Sequence, residues 1–261
     1  MNHQPKKKFG QNFLRDKNLL QKIVRDSYIE HKHVIEIGPG QGALTSFLAE
    51  KASSVIAYEI DESLKPILNE LAIKHDNLKV IYNDFLEVEL DDDKEYHVVA
   101  NIPYNITSPI LFKILEAHQI RTASIMIQKE VSDRLLAKPG TKEYNALSIL
   151  LQIEAKVFKI VDVKRQMFYP VPNVDSAVIR IEKFSQPIIS EDLMPCLRKM
   201  VKEAFRQKRK TLVNNWHEAF NIEKRALIDF LIQQDVDPYA RAESLSIDVF
   251  IKLREAWPYD C

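Results

Sequence analysis

The chain has 261 residues, of which 46% are hydrophobic and 28% charged, and its formal net charge is +0. This composition is that of a globular protein with room for one large domain and a small second one, and it excludes a disordered or fibrous chain. The apolar stretches are too short to cross a bilayer and no secretory signal follows the N-terminal lysines, so we expect a cytoplasmic protein.

The cysteines and histidines give no sign of a metal site. Cys196 and Cys261 are the two cysteines, and they lack the CxxC spacing that would support a zinc site. They also give no support to a disulfide framework and suit a reducing compartment. His31 and His33 are the only close pair of histidines, and they precede a predicted strand in what we interpret as a solvated turn. We therefore predict no metal.

The order of β-rich and helical patterns predicts a doubly wound, mostly parallel sheet followed by helices. We predict strands near residues 33–37, 54–59, 78–82, 96–101, 122–127, 156–163 and 174–182. Between them, helical spacing of apolar residues covers 17–29, 43–51, 62–74, 108–117 and 144–153. After Pro187 the β-rich runs stop, and we predict helices over 191–204, 211–220, 223–234 and 246–256. The expected division is a domain at residues 1–184 and a small helical domain at 188–261.

Three of the five glycines fall in the loop that follows the first of these strands. Gly38, Gly40 and Gly42 lie between a predicted strand and a predicted helix, where glycine permits a tight turn and a close approach of the backbone to a ligand. Nicotinamide, flavin and S-adenosylmethionine enzymes all use such a loop, so it indicates a nucleotide cofactor without choosing one.

Acidic residues end the next two strands. Glu59 ends a strand about twenty residues further on, where a carboxylate accepts hydrogen bonds from both ribose hydroxyls of a nucleotide. Asp84 follows the third strand, where it could accept from an adenine amine, and Phe85 is available beside the ring. Because ligands of open α/β sheets bind at the carboxyl ends of the strands, we expect these residues to converge on one crevice.

The fourth strand ends in Asn101-Ile102-Pro103-Tyr104, the most specific motif of the chain. The exocyclic nitrogen of adenine is a poor nucleophile because its lone pair is delocalised into the ring. The Asn101 side-chain oxygen and the carbonyl of Ile102 or Pro103 can accept its two hydrogens and favour the pyramidal nitrogen that attacks a methyl group. Tyr104 would stack on the extruded base. We therefore predict that Asn101, Pro103 and Tyr104 form a catalytic site for methylation of an adenine-type amine.

Two basic clusters are candidate RNA contacts. Near the N-terminus, residues 5–25 carry a single acid, Asp16, among their basic side chains, which include Lys6, Lys7 and Lys8. In the predicted helical domain, residues 198–210 contain one acid, Glu203, and a series of basic residues that ends in Arg206, Lys208, Arg209 and Lys210. Such clusters bind phosphates without sequence preference.

With these motifs the chain resembles the ribosomal small-subunit RNA adenine dimethyltransferases, the family whose loss in bacteria confers kasugamycin resistance. The resemblance covers nearly the whole chain. It lies in five blocks in the same order: residues 9–14 (FGQNFL), 36–42 (EIGPGQG), 101–106 (NIPYNI), 168–178 (FYPVPNVDSAV) and 204–212 (AFRQKRKTL). The family often has leucine at the position of Ile102, a change that keeps the backbone carbonyl.

The resemblance implies a Rossmann-like class I methyltransferase sheet with a small C-terminal all-α domain, and S-adenosylmethionine as the cofactor. It implies dimethylation of two adjacent adenines near the 3′ end of small-subunit ribosomal RNA within an immature subunit, by a protein that we expect to be monomeric. Residues implied to line the cofactor site are Asn12, Leu14, Gly38, Glu59, Asp84 and Asn101, and the loop position Gly40 joins them.

Phe168 would face the target base opposite Tyr104. Its neighbours Pro170 and Pro172 are typical of a rigid, extended loop that presents an aromatic ring. A buried phenylalanine of the core is the alternative.

Three other functions fit parts of the pattern. The large-subunit RNA methyltransferases that confer macrolide resistance share the glycine loop, the Asn-x-Pro-Tyr motif and the phenylalanine-proline block, but residues 204–212 favour the small-subunit family. A ribosome-assembly factor with secondary or lost catalysis is a second alternative, against which the intact Asn101 and Tyr104 speak. A DNA adenine methyltransferase is disfavoured because the usual DNA-recognition region is absent.

Overall fold

The computed structural model describes Lys6 and residues 10–261. Its strands are β1 (Phe13–Leu14), β2 (His33–Ile37), β3 (Ser54–Glu59), β4 (Leu78–Tyr82), β5 (Tyr96–Asn101), β6 (Ile120–Gln128), β7 (Ala155–Val163), β8 (Phe168–Tyr169) and β9 (Ser176–Lys183). Its α-helices are α1 (Lys17–Asp26), α2 (Ala43–Ala49), α3 (Lys65–Lys74), α4 (Thr107–Glu116), α5 (Lys129–Leu135), α6 (Ala146–Glu154), α7 (Met194–Ala204), α8 (Leu212–Phe220), α9 (Lys224–Gln233) and α10 (Ile247–Glu255).

Each strand and helix predicted from the sequence is present, with ends shifted by a few residues. A side-chain cap fixes the start of α1: the Asp16 side chain accepts a hydrogen bond from the Leu19 N–H at 2.8 Å. The sequence pattern missed β1, β8 and α5. The two strands contain two residues each, too few to show an alternation of apolar and polar side chains.

The large sheet has seven strands in the order β4-β3-β2-β5-β6-β9-β7. Strands β2 to β6 run parallel to one another, and β9 is antiparallel to β6. The chain first winds outward from β2 through β3 to β4, and then returns to pair β5 with the other side of β2. This reversal between β2 and β5 is the topological switch point, beside which open α/β sheets bind their ligands. The predicted α/β class, with a mostly parallel sheet, is confirmed.

The chain divides into two compact units. The first contains the described residues up to Ser132 together with Val157–Lys183, and the second contains Asp133–Lys156 together with Phe184–Cys261. The predicted boundary near residue 184 is close to one of the observed divisions. The segment 133–156, which the sequence suggested was part of the first domain, belongs with the helical unit because the apolar face of α6 packs in that unit's core.

Each unit has its own hydrophobic core. In the first, apolar side chains of α1 and α2, such as Ile23 and Leu48, are buried with sheet residues such as Val34 and Val99. In the second, Trp216 is fully buried, donates from Nε1 to the Met200 carbonyl at 3.0 Å and packs edge-on against Trp257. Burial of large apolar side chains on this scale accounts for most of the stabilisation of such units.

The two cysteines lie close together in space. The Cα atoms of Cys196 and Cys261 are 5.5 Å apart, although 65 residues separate them in the sequence. Both belong to the helical unit, where the end of the chain folds back on α7 and the Cys261 carbonyl accepts a hydrogen bond from Lys199 Nζ at 3.1 Å. Local spacing carries no information about a pair brought together by tertiary packing.

The structure is in keeping with the absence of an apolar span in the sequence. Within Lys6 and residues 10–261, no helix combines the length and the apolar character needed to cross a membrane.

Candidate functional site

A cavity of about 1000 Å³ opens in the first unit at the carboxyl ends of the strands, beside the switch point. The loop after β2 forms part of its wall, and the Gly38 N–H is held by the Tyr58 carbonyl of β3 at 2.9 Å. Gly38 also lies next to the end of β5. A Cβ atom added to it would be 3.9 Å from the Asn101 carbonyl oxygen. This cavity is lined by the residues at the strand ends that the sequence predicted to converge, which are Gly38, Glu59, Asp84 and Asn101.

Gly40 is a position that only glycine can occupy without strain. Its φ is +59°, and a Cβ atom there would lie 2.8 Å from Cε1 of the Phe13 ring. The same residue donates its backbone N–H to Glu59 Oε2 at 3.0 Å. Glycine therefore lets the loop pass close to both the N-terminal segment and the acid of β3.

Glu59 is buried at the end of β3, with 5% of its surface exposed. Its second oxygen, Oε1, accepts a hydrogen bond from the Asp61 N–H at 2.8 Å. Burial raises the pKa of Glu59, while the N–H donors of Asp61 and Gly40 oppose that shift. Each carboxylate oxygen keeps further acceptor capacity, so Glu59 can still accept hydrogen bonds from hydroxyl groups in the cavity.

Asp61 anchors the N-terminal segment, a role that the sequence did not reveal. Lys6 Nζ lies 2.7 Å from Asp61 Oδ1, Gln11 Nε2 lies 2.9 Å from Oδ2, and Ser63 donates to Oδ1 as well. Burial opposes ionisation of Asp61, but the hydrogen bonds from Lys6, Ser63 and Gln11 outweigh it and hold its pKa well below the usual value. Asp61 also caps the turn Glu62–Leu64.

Asp84 caps the turn Phe85–Glu87 through a hydrogen bond from the Leu86 N–H to Oδ1 at 2.9 Å. Phe85 also lines the cavity but is nearly buried, with its ring centroid 5.6 Å from that of Tyr58. This cap fixes the direction of the Asp84 carboxylate beside an aromatic wall.

The N-terminal segment contacts the motif Asn101–Tyr104 directly. Asn101 donates from Nδ2 to the Asn12 carbonyl at 3.1 Å, and the Asn12 side chain donates to the Gly10 carbonyl. Within the described residues, no hydrogen bond to Asn101 Oδ1 is recorded. Leu14, which was expected at the cofactor site, lines the cavity and is otherwise buried.

Tyr104 forms part of the cavity wall and is half-buried. It directly follows Pro103 and begins the turn Tyr104–Ile106. Its hydroxyl is hydrogen-bonded to Ser176 Oγ at 2.7 Å. Burial raises the pKa of Tyr104, so the phenol keeps its proton at neutral pH. Ser176 belongs to a sequence block that resembles the family, but its partner in space was not predictable from that block.

Phe168 does not line the cavity. It is only 4% exposed and packs in the core of the first unit, which is the alternative that the sequence left open. The reason is strand pairing: β8 is antiparallel to β1 with Leu14 opposite Phe168, and side chains alternate between the two faces of a strand. The Phe168 ring therefore points inward and the ring of the next residue, Tyr169, points outward.

The candidate RNA contacts have unequal surroundings. Lys6 is paired with Asp61, whereas Lys7 and Lys8 lie outside the described residues. The second cluster occupies the turn between α7 and α8 in the helical unit, and its first members Arg206, Lys208 and Arg209 are exposed.

Acids neutralise part of that second cluster. Arg206 is 3.7 Å from Glu203, Lys208 is 4.0 Å from Glu243, and Lys210 is paired with Glu218. For the stretch of chain that is described, no ion pair of Arg209 is recorded.

The described residues contain no group of three or more histidine, cysteine, aspartate or glutamate side chains that could hold a metal ion. The cavity lining combines glycine backbone with carboxylate, carboxamide, aromatic and aliphatic side chains. Glu36, whose pKa is raised to about 8 by burial, adds a carboxyl that is mostly protonated at neutral pH.

The fold and the cavity together define a Rossmann-like methyltransferase. A dimethyladenosine transferase from Plasmodium falciparum has a similar structure, with a TM-score of 0.82 and 27% identity over 92% of this chain and 95% of that one. The 23S rRNA methyltransferase ErmE is also similar, with a TM-score of 0.78 and 28% identity over 95% of this chain and 100% of that one.

The chain belongs to the ribosomal RNA adenine dimethylase family, whose model matches residues 2–256. A protein called ribosomal RNA small subunit methyltransferase A in Aster yellows witches'-broom phytoplasma is 47% identical over 98% of this chain and 97% of its own length. The protein of the same name in Bacillus mycoides is 44% identical over 96% of this chain and 90% of its own length. The family expected from the sequence is confirmed.

The glycine loop yields a stability prediction with a matched control. Gly40→Ala should lower the free energy of unfolding more than Gly38→Ala, because both substitutions place a side chain at positive φ but only the first drives a Cβ atom into the Phe13 ring. The strain common to both is about 1–2 kcal/mol, and overpacking adds roughly 1–3 kcal/mol at Gly40. Urea unfolding of the two variants measures the difference. Equal losses would show that Phe13 does not restrict the loop.

Proposed function

We propose that this chain uses S-adenosylmethionine to dimethylate the exocyclic amines of two adjacent adenines near the 3′ end of small-subunit ribosomal RNA in an immature subunit. The observation that carries the proposal is the position of Asn101. Its carboxamide is fixed on the Asn12 carbonyl through Nδ2, at the cavity wall, which leaves Oδ1 to accept a hydrogen from an amine.

The cavity suits the proposed cofactor. S-adenosylmethionine supplies, when bound, an electrophilic methyl group on a sulfonium centre. Glu59 would accept hydrogen bonds from its ribose hydroxyls, Asp84 from its adenine amine, and the loop at Gly38 and Gly40 would approach it without side chains. Asn12 and Leu14 of the N-terminal segment would complete the wall.

The chain's own residues activate the target amine by orientation. Asn101 Oδ1 accepts one hydrogen of the adenine amine, and a backbone carbonyl accepts the other. The Pro103 carbonyl already accepts from the Ile106 N–H at 3.1 Å, so we assign the second acceptor to the Ile102 carbonyl. Two acceptors in a fixed geometry favour a pyramidal nitrogen whose lone pair is no longer shared with the ring.

Tyr104 provides a stacking surface for the adenine and does not act as a general base. Its raised pKa and its hydrogen bond to Ser176 keep the phenol neutral and fix the ring at the wall. Stacking of an extruded base on such a ring contributes roughly 1–3 kcal/mol.

Sequence identity favours the small-subunit substrate over the large-subunit one. Relatives called small-subunit methyltransferases share 43% to 47% identity with the chain over nearly its whole length, against 28% for ErmE. The presence of Asn101 and Tyr104 on the cavity wall supports catalysis rather than a purely structural role in assembly.

The direct test is a transfer assay with labelled S-adenosylmethionine and either small or large ribosomal subunits from cells that lack the modification. We expect label in the small subunit, with mass spectrometry locating two methyl groups on each of two adjacent adenines. Label confined to the large subunit would favour the macrolide-resistance type of activity. No transfer to either subunit by folded protein would contradict the proposal.

The role of Glu59 predicts a loss of cofactor affinity. Glu59→Ala should weaken S-adenosylmethionine binding by about 1.5–3 kcal/mol, the usual loss for a hydrogen bond to a charged group. Glu62→Ala removes an exposed carboxylate three residues away and serves as the matched control, with no expected change. Calorimetry measures both. An unchanged affinity in folded Glu59→Ala would remove this residue from the ribose site.

The basic turn predicts a change in the salt dependence of RNA binding. Arg209→Gln should reduce the slope of log affinity against log salt by about 0.7–0.9, because one unpaired charge contacts one phosphate. Lys210→Gln should have a smaller effect, since Glu218 already neutralises Lys210. Lys224→Gln, an exposed base on α9, is the control. Filter binding at several salt concentrations gives the slopes, and an unaltered slope for Arg209→Gln would place the RNA elsewhere.

A further inference from the structure

Tyr169 is an exposed aromatic residue next to the catalytic cavity that has no role in the proposed chemistry. It pairs with Phe13 across β1 and β8, and 52% of its surface is exposed. Its neighbour Phe168 points into the core from the other face of the same strand. The pairing with β1 therefore holds the Tyr169 ring at the surface in a defined direction.

Arg15 packs on this ring. Its guanidinium carbon lies 4.5 Å from the Tyr169 ring centroid, and its backbone N–H reaches the Met167 carbonyl at 3.4 Å. Arg15 also lines the cavity, whereas Tyr169 does not. The Arg15–Tyr169 pair thus begins at the rim of the cavity and extends outward from it.

The charge of Arg15 is not compensated locally. Across the described part of the chain no ion pair of Arg15 is recorded, and the neighbouring Asp16 caps α1. A second pair in the same unit shows the contrast: Arg180 packs 4.3 Å from the centroid of Tyr28, but it is also bonded to Glu182 at 2.8 Å. Of these two pairs, the one at the rim combines an exposed ring with an arginine for which no ion pair is recorded within the described residues.

The loop around Tyr169 is apolar as well as exposed. Met167, Val171 and Val174 have 37%, 56% and 40% of their surface exposed. Contiguous exposed apolar side chains are typical of binding surfaces. An aromatic ring, a guanidinium and flanking apolar groups together suit a nucleobase and its phosphate.

We propose that Tyr169 and Arg15 form a subsite for the nucleotide next to the target adenine. Tyr169 stacks on its base and Arg15 neutralises its phosphate while the target adenine occupies the cavity. The inference rests on the proposed function, because it takes ribosomal RNA as the substrate. The pairing of β1 with β8 then has two roles. Leu14 and Phe168 stabilise the core, and Tyr169, which points to the surface, binds RNA.

The test compares four variants in methyl transfer to small ribosomal subunits. Tyr169→Ala should raise KM for the subunit on the order of tenfold, the loss expected for one stacked base. Tyr169→Phe should restore KM, because the ring and not the hydroxyl makes the contact. Arg15→Gln should lower the salt slope of RNA binding by about 0.7–0.9, whereas Tyr169→Ala should leave that slope unchanged.

Tyr28→Ala is the matched control, since it removes an exposed tyrosine that packs on an arginine away from the cavity. Its KM should equal that of the wild type, and the affinity of Tyr169→Ala for S-adenosylmethionine should also be unchanged. The proposal is overturned if KM does not rise in Tyr169→Ala, if phenylalanine does not restore it, or if Tyr28→Ala raises it equally. Wild-type turnover on the subunit tests the proposed function separately.

Discussion

The hydrogen bond from Asn101 Nδ2 to the Asn12 carbonyl is the interaction on which the account of the site depends. It orients a carboxamide that could otherwise rotate, and it makes Oδ1 the atom available to a substrate amine. It also ties the end of β5 to a segment 89 residues earlier in the chain. The geometry of catalysis therefore depends on where the N-terminal segment lies.

Three further contacts hold that segment in place. Gln11 and Lys6 bond to Asp61, which follows β3, Phe13 packs against the Gly40 loop, and β1 pairs with β8. The segment thus contacts the wall near Glu59 and the loop that carries Tyr169. Because these contacts share one short stretch of chain, we expect displacement of the segment to disturb cofactor binding and amine orientation together.

The parts of the site that the sequence predicted are those carried by strand ends. Glu59, Asp84 and Asn101 each end or directly follow a regular strand, and parallel strands bring their carboxyl ends to one edge of a sheet. The features that the sequence did not show depend on contacts between residues far apart along the chain. The burial of Phe168 follows from its register with β1, and the proximity of Cys196 and Cys261 follows from the packing of α7, neither of which leaves a periodic signal. The pairing of Lys6 with Asp61 was likewise not visible in the sequence, because the two residues are remote from each other along the chain.

The central claim is that Asn101 orients the amine and does not serve to bind RNA. The most direct measurement is the single-turnover rate of methyl transfer by Asn101→Ala at saturating cofactor, together with filter binding of the same preparation to small subunits. The account predicts a rate lower by about a hundredfold or more, as for loss of one fixed polar contact to a transition state, with nearly unchanged RNA affinity. A rate close to that of the wild type in a folded variant would contradict it.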